Sequence, residues 1–142
     1  MKPLAVLAFL VGILAMMQFI PLEKEDDQRI QAVALNYALY RDAVHRYVFS
    51  GHKTTGVVAA SSLSLPAGWI MLRPWQARID SGCLYVWGEA SSNEVDIVRD
   101  LYFGTLAIGY VSNGKLEPSY GGTTPIPSFI SNGNIVSVVS VE

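Results

Sequence analysis

WQARIDSGCLYVWGE, residues 75–89, is the stretch from which the fold of this chain is read. Two runs of about six residues, rich in β-branched and aromatic side chains, flank the pair Ser81-Gly82, which predicts a β-hairpin turning at that pair. Strict alternation along CLYVWGE places Tyr85 and Trp87 on one face of the second strand and Leu84 and Val86 on the other.

Downstream, Ser91 followed by Glu94 is a capping-box signature, and Val95, Val98, Leu101 and Tyr102 form one face of a helix that should stop at Gly104. LAIGYV and KLEPSY flank Ser112-Asn113-Gly114, a second hairpin signal, and Gly121 to Pro127 reads as a loop. The closing IVSVVSV is strongly β-branched and is expected inside the sheet. Its alternative is an open edge that captures a neighbour's strand.

Upstream, GWIMLRPW reads as a further strand, and LPAGW, Leu65 to Trp69, as a sharp stop, because Pro66 biases Leu65 toward an extended form. GVVAASSL, Gly56 to Leu63, fits a short helix or an extended segment, and periodicity does not distinguish them. Glu23 to Phe49 has helical spacing: Ile30, Val33, Ala34, Tyr37, Tyr40, Val44, Tyr47 and Val48 gather into one stripe. Its acidic first turns complement the helix dipole, and Gly51 ends it.

Before it, Pro3 to Ile20 carries no charge. Eighteen helical residues reach roughly 27 Å, just enough for a hydrocarbon core of about 30 Å. The residues preceding the acidic break are Met16, Met17, Gln18, Phe19 and Ile20, which offer no small-x-small cleavage site, so a retained anchor is expected over a cleaved signal. Lys2 and the terminal amine point to an N-terminus held in the cytoplasm and an exported body, with Lys24 and Arg29 pulling against that orientation. The expected organisation is thus a transmembrane anchor over 1–21 and one α+β domain over 22–142 that begins with an amphipathic helix at about 23–50. The expected fold class is α+β, a long membrane-continuous helix packed on a small, mainly antiparallel sheet with one or two short helices.

Composition narrows function. Of 142 residues, 10 are Lys or Arg and 12 are Asp or Glu, and the basic ones are scattered, so no nucleic-acid partner is expected. Cys83 is the sole cysteine, which rules out an internal disulfide and reads as a small core residue. His45 and His52 are the only neutral-pH bases; with Asp42 alone beside His45 there is no metal-ligand cluster, and Asp42 reads as a solvated helix-face residue. No G-x-S-x-G elbow or phosphate loop occurs. The expectation is therefore no enzyme activity, no cofactor and no metal. Trp69, Trp75, Tyr85 and Trp87 remain; they are expected mostly to pack beneath a helix, with a protein-binding patch that also includes Arg41 as the candidate site.

The N-terminal apolar segment, then LNYALYRDAVHRYVFS, then GVVAASSLSLPAGW and a small sheet domain resemble the PilM proteins of type IVb thin-pilus systems on conjugative plasmids. The Y-R-x-A-V-x-x-Y and L-x-L-P-x-G-W patterns carry the resemblance. It implies a non-enzymatic, single-pass protein of the bacterial inner membrane with a periplasmic C-terminal domain, a scaffold in the pilus basal body or the pilin export apparatus. Implied partners are pilin, inner-membrane platform or secretin components, or another copy of the chain in a homo-oligomer. The helix-then-sheet order also resembles a pilin or minor pilin, although the glutamate of a prepilin peptidase site is missing after Gly12. A membrane-tethered periplasmic enzyme using Cys83 or His52 is the remaining alternative.

Overall fold

The apolar stripe predicted for the first helix is the surface that becomes buried. In the computed structural model, which describes residues 27–117 and 124–142, helix α1 covers 27–49. Val33, Ala34, Tyr37, Tyr40, Val44 and Val48 are each at most 5% exposed, while Ile30 and Tyr47 flank the stripe half-buried.

Seven strands follow: β1 (Gly56–Val57), β2 (Gln76–Asp80), β3 (Cys83–Glu89), β4 (Ile108–Ser112), β5 (Lys115–Glu117), β6 (Thr124–Pro125) and β7 (Asn134–Ser140). They form one sheet in the order β1-β2-β3-β7-β4-β5-β6, antiparallel throughout. A second helix, α2 (Ser92–Leu101), connects β3 to β4, and β7 inserts between those two strands, giving a split crossover. The C-terminal strand is therefore interior: all seven of its residues pair with β3, which corrects the open-edge alternative. The hairpin turns are those expected. Ser81 and Gly82 have φ of 51° and 77°, and Asn113 and Gly114 have 52° and 71°, the paired positive values of a type I′ turn.

Both helices lie on one face of the sheet. There Ala77 and Ile79 of β2, Leu84 and Val86 of β3, Ile108 of β4 and Ile135 of β7 pack against α1 and against Val95 and Val98 of α2. The opposite face carries Tyr85, Trp87, Val111, Leu116 and Val136 and is covered by Ile126 and Ile130 with Phe129 beside them. Alternation thus divides β3 between two cores, as its sequence requires.

Several expectations are corrected. The fold is not a membrane-continuous helix on a small sheet: the seven-stranded antiparallel sheet is the main element, and the described part has two helices. Two-residue strands β1 and β6 enlarge the sheet, and segments that short have no periodicity to read. β1 falls within the ambiguous GVVAASSL, whose next residues Ala60–Ser62 form a 3₁₀ turn, and β6 lies in the expected loop. GWIMLRPW makes no strand; Pro74 cannot donate to a ladder, and side-chain hydrogen bonds hold this segment instead. The expected inner-membrane location, with cytoplasmic N-terminus and periplasmic domain, is also corrected: among the described residues no helix is long and apolar enough to cross a membrane. The anchor expected over 1–21 and the start of the helix at 23 lie outside the described residues.

Candidate functional site

The five residues expected to form a partner patch are distributed over both faces of the sheet, and four are buried. Trp75, 3% exposed, sits under α1 with its ring edge-on to Tyr37 at 5.1 Å. Gly88 makes room for it, since a Cβ there would collide with the indole. Tyr85 and Trp87, 8% and 7% exposed, lie on the far face against Phe129, at 5.9 and 5.2 Å between ring centroids. Trp69 is half-buried and stacks on Tyr40. Arg41, 9% exposed, donates from Nε to Ser137 Oγ at 2.6 Å and lies over the Tyr102 ring at 4.4 Å. Tyr102 in turn donates to Asp42 Oδ1 at 2.8 Å, so Arg41, Asp42, Tyr102 and Ser137 lock α1 to α2 and β7. Burial, then the bond to Asp42, pushes the Tyr102 phenol up to about 12, so it remains a donor at neutral pH. Asp42 is half-exposed.

A residue that the sequence reading passed over, Asn36, fixes the segment before β2. Its Nδ2 donates to Ile70 O at 2.8 Å, and its Oδ1 accepts from Leu72 N at 3.0 Å and from Trp75 Nε1 at 2.7 Å. With the backbone of this segment held by one amide, Ile70, Met71 and Leu72 are left 69%, 37% and 44% exposed.

The end of α2 is built differently from its reading. Gly104 N–H donates to Arg99 O at 2.8 Å and Phe103 N–H to Asp100 O at 3.2 Å, the two bonds of a Schellman motif. In that geometry glycine belongs at the first residue after the cap, yet Phe103 holds the position, at φ 57°. An L-residue there costs about 1–2 kcal/mol. Phe103 is also fully exposed, with Leu101 and Leu106 close in sequence at 47% and 55%. Neither core packing nor chain reversal accounts for a phenyl ring at this place. The sequence signal was the aromatic immediately before Gly104.

The residues capable of chemistry are not gathered together. His52 stacks on Tyr47 at 4.0 Å and bonds Tyr47 O through Nδ1. His45 lies beside Phe49; burial, then the charge of Arg41, pushes its imidazole down to about 4, against the pull of Asp42. Cys83 is half-buried at the start of β3. Among the described residues no group of three or more His, Cys, Asp or Glu is placed to hold a metal.

The PilM family model matches residues 6–138. The chain belongs to the PilM family. The crystal structure of the PilM protein from Escherichia coli B7A shares its fold, with a TM-score of 0.64 at 18% identity over 80% of this chain and 94% of that one. No curated protein matches the sequence. Among the exposed apolar side chains of this PilM-family chain, which also include Leu35, Phe49 and Val57, the Phe103 turn and the Ile70–Leu72 segment are two that gather several such residues close in sequence.

Proposed function

We propose that this chain is a non-enzymatic scaffold protein of pilus assembly, against which other pilus-assembly proteins dock, with the Phe103 turn as one contact. Membership of the PilM family supports the pilus part of the reading. The observation that carries the scaffold part is Phe103, a fully exposed aromatic kept in a left-handed backbone position that favours glycine. Large aromatics are the residues that most often anchor protein interfaces.

Phe103→Gly separates contact from folding. It relieves the backbone strain, so thermal or urea unfolding should show the variant about 1 kcal/mol more stable than the parent. Expressed in a strain lacking the native gene, the same variant should assemble markedly fewer pili when counted by electron microscopy. Normal piliation by this stabilised variant would sink the scaffold contact. Alanine at Cys83 and at His52 tests the enzyme alternative, and pili at parental numbers in both variants are expected.

A further inference from the structure

On the face of the sheet away from the helices, strand alternation brings four side chains to one end. Gln76 pairs in register with Trp87, and Glu89 with Asn134, so all four project to the same side of three adjacent strands. Phe129 covers them from the loop before β7, and a cleft of about 300 Å³ is left between them, with Asn132 on its rim. That is the lower end of the size of small-molecule sites.

Asn134 is 8% exposed, lines this cleft, and makes no side-chain hydrogen bond among the described residues. Its amide reaches the open cleft, where it is placed to exchange water for a ligand's hydrogen-bonding group. The lining chemistry narrows that ligand. Trp87 and Phe129 offer aromatic surface, with centroids 5.2 Å apart and planes inclined by 50°. Gln76, Asn132 and Asn134 offer carboxamides that both donate and accept, and Asn132 already uses its Oδ1 to accept from Gly114 N, leaving its donors for the cleft. No Lys or Arg side chain lines it and Glu89 does, while the Arg78 guanidinium lies over the Phe129 ring at 4.8 Å, so the two charges offset and the cleft is not built for an anion. Apolar faces combined with neutral donor–acceptor groups are the complement of a polyhydroxylated ring, whose C–H faces are apolar and whose edges both donate and accept.

We propose that this cleft is a binding site for a short neutral saccharide, with Trp87 and Phe129 against its ring faces and Gln76 and Asn134 on its hydroxyls or N-acetyl groups. Saturation-transfer NMR on the full chain, with N,N′-diacetylchitobiose and cellobiose as probes and inorganic phosphate and triglycine as controls, tests it. Saturable binding of at least one disaccharide is expected, weakened about tenfold or more in Asn134→Ala, the equivalent of one lost hydrogen bond at a buried site. Gln76→Ala, at an exposed position where folding is not at stake, should weaken it as well. Absence of saturable binding by both disaccharides, displacement by triglycine or phosphate, or binding unchanged in both variants would overturn the assignment.

Discussion

The two faces of the sheet solve the same burial problem with different materials. On the helix side, α1 and α2 present regular apolar stripes, and polar side chains cross between elements: Tyr37 donates to Val86 O at 2.7 Å, and Asn36 and Arg41 tie the helix to the linker and to β7. On the other side the cover is an irregular loop that supplies Ile126, Phe129 and Ile130 over a smaller cluster, and part of that face remains an open cleft. A helix buries a stripe along its whole length with its backbone already satisfied, whereas a loop covers only where its few apolar residues fall. Stability should therefore reside mainly with the helices, and openings for ligands with the loop.

The most severe test of this difference is Tyr37→Ala. Tyr37 is fully buried, and burial pushes its phenol far above the ordinary range, so it remains a donor to Val86 O. Its loss leaves a large cavity and removes the second hydrogen bond to a carbonyl that the ladder to β7 already pairs, and urea unfolding should show a loss of about 3–5 kcal/mol. Gly88→Ala probes the same side by overpacking: the added methyl displaces the Trp75 indole, and a loss at the upper end of about 1–3 kcal/mol is expected, together with a change in tryptophan fluorescence. Ile130→Ala on the loop side should cost about 2 kcal/mol, the low end for a buried Ile, because a loop can settle into the space. If Ile130→Ala costs as much as Tyr37→Ala, the contrast between the faces fails.

The last test is one of pH. His45 ionises at about 4 in the folded chain against an ordinary 6.5, so between those values the unfolded chain binds a proton that the folded chain does not. Stability therefore falls as pH drops from 6.5 toward 4 and this contribution levels off below 4. His45→Gln should flatten that part of a plot of unfolding free energy against pH. An unchanged slope would mean that the imidazole is not held neutral by the helix-side packing.

Local elements were well marked in the sequence. The α1 stripe, the capping box in which Ser91 Oγ accepts from Glu94 N and Glu94 Oε1 from Ser91 N, and the two hairpin turns were all legible, because each depends on residues within a few positions of one another. The site was less legible. Cleft formation joins Gln76, Glu89, Phe129 and Asn134, and the partners of Asn36 lie 34 to 39 residues away, so no local spacing announces either.

By itself, then, the sequence determined which segments become helix or hairpin and which side of each strand is apolar, since φ/ψ preference and period are properties of neighbouring residues. Tertiary structure alone decided that β7 lies between β3 and β4, that two-residue strands extend the sheet to seven, and that the aromatics of residues 75–87 divide between two cores. Those outcomes depend on which surfaces meet, and that is settled by packing across the whole domain rather than along the chain.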